Sequence, residues 1–571
     1  MKALPVGPLI RLASVGAKAV PTLFERDDWS AGRNLRAEET RAGILLHRSP
    51  IERTRVPALF KALSSDFQVH EVAPHGDLLQ LEGAPKSKWK KVSRAKTILL
   101  ENTSEPFSNP DKSFVPYLQS HGEYVKRMGK LPQGKPLLQF TLFRDHHSVQ
   151  DVLNRLRYEA NVPPDAVVLH PTPGGSFGCV TQHGVCIGVT KEQLTHASRH
   201  YNLHPLLFQP NRYHEEDAFP DLSRPPSFYQ YDVLLRFVDG EKDAVYRRLG
   251  ELKRSGFVNY FGLSHFGCGS STLYDVAALH HKGMFDRAVG AYLSTVAEGD
   301  PFHFNHFNRY VNADTSTTLG VLTKWRDYCV NSKCDPRLTS VIEAVRQYHA
   351  GGMAMKEVSL SVPLHDASQK SSAEFLWNLM ASQRLVLSRE DRALKGDLVL
   401  TEGRVKVLEE ECGRFCLADV VLPVPYLGTT PQFPELPQVN QGRFVATAER
   451  YGVDFLLSSS SAGLPPVYRR LVDRPRGLRG QLFADDSSTA VLKTDPFLLQ
   501  ERSPAASRLR YPCVYNVSER HMEKMNFIRQ RKVGRQSLML SFVLDSSCSP
   551  LSALREVFSL DFLHFTDLST F

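Results

Sequence analysis

The sequence predicts a mixed α/β protein with more than one domain, and three observations carry that expectation. In LLQFTLF (137 to 143) Leu138, Phe140 and Leu142 alternate, as in a strand with one buried face. HHSVQDVLNRLRYEANV follows with Val149, Val152, Leu153 and Leu156 at i, i+3, i+4 and i+7, the apolar stripe of a helix covering a sheet. GVCIGVT (184 to 190) alternates again through Val185, Ile187 and Val189, before a polar helical stretch that starts at Lys191. Far downstream, SLMLSFVL alternates through Leu538, Leu540, Phe542 and Leu544 ahead of a helical LSALREVF. This late strand and helix are expected to complete the first sheet.

At 571 residues the chain exceeds one ordinary core, so two or three domains are expected. TTPQFPELPQVNQ (429 to 441) and LVDRPRGLRG mark linkers or surface loops, and the chain holds no internal repeat. With 42% hydrophobic and 23% charged residues and no apolar run long enough to span a bilayer, the composition is that of a soluble globular protein without a membrane partner. The net charge of +9 favours an anionic partner, of which nucleic acid is the commonest. Basic residues cluster in KSKWKKVSRAK (86 to 96), YRRLVDRPRGLR (468 to 479) and RQRKVGR (529 to 535). Any one of these is accounted for by a solvated face, but three together, with Trp89 interleaved, point to RNA or DNA.

The nine cysteines are scattered, and Cys412/Cys416 and Cys329/Cys334 lack a second pair at zinc spacing, so they read as reduced thiols. In FHFNHFNRY, His303 and His306 have no third ligand and read as part of an aromatic helical face. No metal or cofactor is expected. The first 24 residues carry Lys2, Arg11 and Lys18 with no acid before Glu25, the composition of a mitochondrial presequence interrupted by Pro5, Pro8 and Pro21. That predicts the mitochondrial matrix.

HPTPGGSFGCVTQ (170 to 182) lies between an apolar run and an alternating one. A phosphate cradle is one reading, but a P-loop ends in Gly-Lys-Ser/Thr, and Gly174-Gly175 is followed by Ser176-Phe177. A tight turn and a site whose chemistry has been removed are the others.

Motifs elsewhere bear on this. NYFGLSHFG (259 to 267) resembles NYFGxQRFG of the TruD family of pseudouridine synthases, with Ser264-His265 where the family has Gln-Arg. FKALSSDFQVHEV (60 to 72) resembles the family's Lys and DFxVxE segment through Lys61, Asp66, Phe67, Val69 and Glu71. FLWNLMASQRL resembles WNxxxSxR through Trp377, Asn378, Ser382 and Arg384. LKGDLVL, VVLPVPYLG, VYRRLVDRP and SFVLDSSCSPLSALREV resemble the family's GDLV, PLPG, YRKL and SFxLPxGSYATxxLRE segments, so the ordered motifs run from about residue 50 to 557.

The resemblance implies a pseudouridine-synthase core with a mixed, largely antiparallel sheet at 46–285 and 465–571, and an inserted α/β TRUD-type domain at 286–464. Residues 1–45 are left as presequence and extension. It implies an RNA-binding cleft with Lys61, Phe67, Asn259, Phe261 and Arg384, and basic RNA contacts from Arg469, Arg470, Arg474 and Arg476. For NYFGLSHFG plain core packing is the competing reading, and for Lys61 a surface lysine.

The family's catalytic motif, GTKDxRAxTxQ, belongs where the glycine loop lies. Aligned on Val180 and Gln182, its aspartate falls on Gly175 and its lysine on Gly174, and no shift finds an acid, because Ala166 to Lys191 holds neither Asp nor Glu. Isomerising uridine requires the base to be flipped out and a carboxylate at C1′ of the ribose. A glycine supplies none, and losing such a nucleophile costs on the order of 10⁶ in rate. Ser549 also stands where the family's SYAT segment has its aromatic residue. Three functions are consistent with this. The first and expected one is an inactive RNA-binding relative in mitochondrial RNA or ribosome biogenesis, in contact with structured rRNA or tRNA and with proteins of mitochondrial ribosomal assembly intermediates. The others are an active synthase with a carboxylate from elsewhere and a protein-interaction scaffold.

Overall fold

The structure, a computed structural model, describes residues 38–48, 55–73, 76–82, 131–170, 172, 178–198, 205–267, 271–297, 301–331, 336–388, 390–410, 413–458, 464–484, 492–502 and 536–561. The presequence-like segment, the basic clusters at 86–96 and 529–535, and positions 173–177 with Gly175 lie outside the described residues. The chain forms two compact units. A sheet unit contains 58–242 and 476–547, and a mixed unit contains residues up to 57, 243–475 and 548–570.

The sheet unit is built on eight strands. Seven run in the order Arg476–Ala484, Gln536–Asp545, Phe228–Leu235, Phe67–Val72, Cys179–Ile187, Leu137–Asp145 and Leu206–His214. All neighbours are antiparallel except Phe67–Val72 and Cys179–Ile187, which pair in parallel from Gln68 opposite Cys179 to His70 opposite Thr181. Beyond that short pairing the Val167–Leu169 strand takes over the same edge, with Leu169 opposite Gly184. The late strand does complete the first sheet. The helix after it, Pro550–Arg555, belongs to the mixed unit.

Two helices cover one sheet face, each started by a capping box: Val149–Ala160 by Ser148 and Asp151, and Lys191–Ala197 by Thr190 and Gln193. Val152, Leu156 and Leu194 pack on Leu138, Phe140 and Leu142, the residues that the alternation marks as inward. The Cys179–Ile187 strand differs from its sequence reading. Cys186 joins this core and Ile187 is 40% exposed, while Val185 is buried on the opposite face. The apolar face of that strand is set by Gly184, where a Cβ would lie 2.3 Å from the Phe140 ring.

In the mixed unit, helices Leu273–His281, Phe285–Ala297, Pro301–Val311, Thr318–Asn331 and Pro336–His349 enclose a core around Trp325. His303 and His306 belong to this core: Trp325 Nε1 donates to His303 Nδ1 at 3.1 Å, and the His306 ring lies parallel to the indole. The long helix Val362–Leu387 then packs on an antiparallel sheet ordered Arg404–Val407, Leu398–Thr401, Val420–Val424 and Val467–Arg470. Among the described residues no helix is long and apolar enough to cross a membrane.

Candidate functional site

The NYFGLSHFG segment leaves the short strand Phe257–Val258, which pairs with Val472–Asp473, and ends in a tight helical turn at Leu263–His265. Four distant parts of the mixed unit converge on it. From the strand Val467–Arg470, Arg469 donates through Nε to the Asn259 carbonyl at 2.7 Å and through Nη2 to Asn259 Oδ1 at 2.8 Å. Its guanidinium lies 4.1 Å from the Phe261 ring centroid, a cation–π contact. Strand alternation turns the neighbouring Arg470 the other way, and it is exposed.

The helix Val362–Leu387 brings Glu374, Trp377 and Asn378 to one face at i, i+3 and i+4, with Ser382 one turn further. Asn378 pairs with the Phe261 peptide like a strand: Oδ1 accepts from the Phe261 N–H at 2.9 Å and Nδ2 donates to its carbonyl at 3.1 Å. The Trp377 edge meets the Phe261 ring at 5.6 Å, and the Ser382 hydroxyl is 2.9 Å from the Tyr260 phenol oxygen. At the start of Pro550–Arg555, Ser549 lies so close to Gly262 that a Cβ there would come within 3.1 Å of its hydroxyl. Downstream, Ser552 Oγ donates to the Tyr260 carbonyl and Glu556 accepts from the Val258 N–H.

A second carboxylate sits inside this constellation. Glu374, 2% exposed, accepts from His265 Nδ1 at 2.8 Å and from the Tyr426 hydroxyl at 3.1 Å. Burial and the Glu374 charge push the Tyr426 phenol far above its ordinary range, so it remains a donor. Sequence reading passed over Glu374; its helical spacing to Trp377 and Asn378 was the available signal.

The sheet unit holds the other predicted residues. Lys61, in a left-handed conformation (φ +50°) and 1% exposed, has its ammonium 4.4 Å from the Phe67 ring centroid. Phe67 is internal, packed on Phe60 and Tyr231, and Gly178 is pressed against it: a Cβ at Gly178 would lie 2.8 Å from the Phe67 carbonyl. The described ends of the glycine loop are tied down. Arg144 donates to Gln182 Oε1, to the His147 carbonyl and to Thr172 Oγ1, and Gln182 Nε2 donates to the His170 carbonyl at 3.0 Å.

The mixed unit therefore gathers Asn259, Phe261 and Arg469, and the sheet unit, taken by itself, gathers Lys61 and Phe67. Arg384 joins neither. It is fully buried and grips Asp397 through Nε and Nη2 at 2.7 and 2.6 Å, so its place as an RNA contact is corrected to an internal clamp between helix and GDLV strand. Phe67 is corrected likewise, to a core ring that supports Lys61. Of the remaining arginines, Arg474 pairs with Asp391, and the exposed Arg476 lies over the Phe228 ring at 4.3 Å.

Segments that are remote in sequence but resemble successive TruD motifs thus pack on one another, and known proteins with similar sequences are named pseudouridine synthases. The human pseudouridylate synthase 7 homolog is 22% identical over 445 residues, covering 74% of this chain and 58% of its own length. The chain is similar in sequence to pseudouridine synthases, and its ordered motifs resemble those of the TruD family. Multisubstrate pseudouridine synthase 7 of Schizosaccharomyces pombe is 23% identical over 371 residues (57% of this chain, 48% of its own), and mouse pseudouridylate synthase PUS7L is 25% identical over 346 (56% and 42%). The chain thus spans less than two thirds of the length of these relatives. The crystal structure of TruD from Methanosarcina mazei covers 92% of this chain and 98% of its own, at 12% identity and a TM-score of 0.48. No family model matches.

Proposed function

We propose that this chain binds structured RNA, rRNA or tRNA, without isomerising it, and serves mitochondrial RNA or ribosome biogenesis in the matrix alongside ribosome-assembly proteins. The observation that carries the reading is the absence of any acid from Ala166 to Lys191, the stretch aligned with the family's catalytic motif. The retained Asn259–Phe261–Arg469 arrangement supports a binding role, as do the net charge of +9 and the exposed Arg470. Ser549 in place of an aromatic ring removes a further stacking surface, consistent with binding that no longer ends in catalysis. The acid-free start of the sequence, with Lys2, Arg11 and Lys18, supports import.

A synthase with a substituted carboxylate is the competing reading, and Glu374 is an acid within the constellation. Both its oxygens are engaged, by His265 and Tyr426, which argues against a nucleophile. Crosslinking the tagged protein in cells and sequencing the attached RNA is expected to recover mitochondrial RNA. The purified protein is expected to release no tritium from 5-tritiated uridine in such RNA. Turnover above a no-enzyme blank would establish the competing reading, and recovery of proteins without RNA would establish a scaffold.

A further inference from the structure

We propose that His265 is a phosphate contact for RNA, with Glu374 and Tyr426 as its positioning residues. The inference rests on the RNA-binding reading and deepens it. His265 stands in NYFGLSHFG where the TruD motif has arginine, and its surroundings are those of an oriented imidazole. The Nδ1 edge faces Glu374 at 2.8 Å, and the ring is held edge to face by Phe261 at 5.5 Å and tilted against Phe266 at 6.4 Å. The carboxylate is itself fixed. It is 2% exposed, its second oxygen is taken by Tyr426, and its helix carries the Trp377 and Asn378 side chains that hold Phe261.

A histidine that served packing alone would need none of this. A carboxylate facing Nδ1 requires the N–H on that nitrogen, which fixes the tautomer and aims Nε2 away from the carboxylate. The His265 side chain is 37% exposed although its partner is buried. With a second proton the ring carries an N⁺–H on its other nitrogen, a charge-assisted donor suited to a phosphodiester oxygen. The charged and titratable groups facing it from packed elements are Glu374 on the long helix, Tyr426 in the turn after Val420–Val424, and Arg469 across the Phe261 ring. Where an arginine offers a fixed fork of donors, histidine offers one, and only in its protonated form.

The test uses the full chain and a fluorescently labelled RNA stem-loop, titrated at several salt concentrations. His265→Ala and His265→Gln are expected to lower the slope of log K against log salt by about 0.7 to 0.9, the contribution of one phosphate contact. His265→Arg is expected to restore it, and Glu374→Gln to weaken binding without altering the thermal melt. If the parent binds RNA and folded His265→Gln keeps its salt slope, His265 is a packing residue and the inference falls while the RNA reading stands. If the parent binds no RNA, both fall together.

Discussion

Arg384 shows how a correct motif match can assign the wrong work to a side chain. WNxxxSxR marks Trp377, Asn378, Ser382 and Arg384 together, and an arginine in an RNA-binding family invites a phosphate. Its partner, Asp397, is 13 residues away in LKGDLVL, and the two side chains are both fully buried. Arg384→Ala would leave Asp397 as an unpaired buried carboxylate that still accepts from the Leu394 N–H. Breaking such a pair costs about 3 to 5 kcal/mol. Urea denaturation is expected to show a loss of that size in Arg384→Ala, whereas variant protein still folded in buffer is expected to keep the parent's salt slope for RNA. A folded variant that keeps its stability and loses RNA affinity would return Arg384 to the binding surface. The neighbouring roles were legible to different degrees. Asn259 and Phe261 stand out in sequence because glycine and aromatics are rarely spaced that way, and they do lie together. Glu374 carries no motif and is visible only through its helical spacing to Trp377. The burial of Lys61 depends on a positive φ and on a ring six residues on, and neither leaves a trace in local pattern.

At the scale of elements, alternation located the strands at 137–145 and 536–545 and periodicity the helix after the first, because one face of each is buried against a neighbour, whereas the alternation at 184–190 caught only the end of the strand Cys179–Ile187 and marked Ile187, which is exposed, as inward. It did not locate the helix Asp495–Arg502, which is held by contacts more than 300 residues away in sequence. Asp495 reaches His70 Nε2 at 3.1 Å, and its other oxygen accepts from Thr181 Oγ1 and from the Leu81 N–H. Burial alone would lower the His70 pKa, but the charge and hydrogen bond of Asp495, with Asp232 at 3.9 Å from the other ring nitrogen, raise it. Burial alone would raise that of Asp495, and His70 lowers it. The signs fix the window. The histidine's contribution is complete below its unfolded value of about 6.5 and is lost as pH rises through the raised value. The aspartate's is complete above its unfolded value of about 3.9 and is lost as pH falls through the lowered value. Protection of the Leu81 amide, corrected for intrinsic exchange, is expected to be greatest between about pH 4 and 6.5 and to decline on the alkaline side. Asp495→Asn is expected to remove that decline. Unchanged protection into strongly alkaline solution would mean that apolar packing, not the ion pair, holds the helix.

The order of motifs along the chain is the part of the whole molecule that the sequence made plain, and it foretold that distant segments meet. It could not show what binds residues 38–48 into the mixed unit, since that depends on charges brought together only by folding. Glu39 accepts from both Arg55 Nη1 and Nη2, at 2.8 and 2.9 Å, and lies 3.8 Å from Arg555 Nε. His47 stands between Glu39, at 3.6 Å, and Glu556, at 3.9 Å, and Glu556 also accepts from the Arg48 N–H. Burial would lower the His47 pKa, but the nearby Glu39 and Glu556 carboxylates outweigh this and raise it to about 9. A group raised in this way stabilises the fold fully below its unfolded value, about 6.5, and loses its contribution as pH rises through the folded one. Deprotonation leaves two buried glutamates with less opposing charge, so the network itself weakens in the same interval. The melting temperature of the chain is therefore expected to fall between pH 8 and pH 10 by more in the parent than in His47→Gln, which has no proton to lose there. With 23% of the His47 side chain exposed, solvent screening keeps the difference modest, and parallel melting curves for the two proteins across that range would show that this segment is held without the imidazolium.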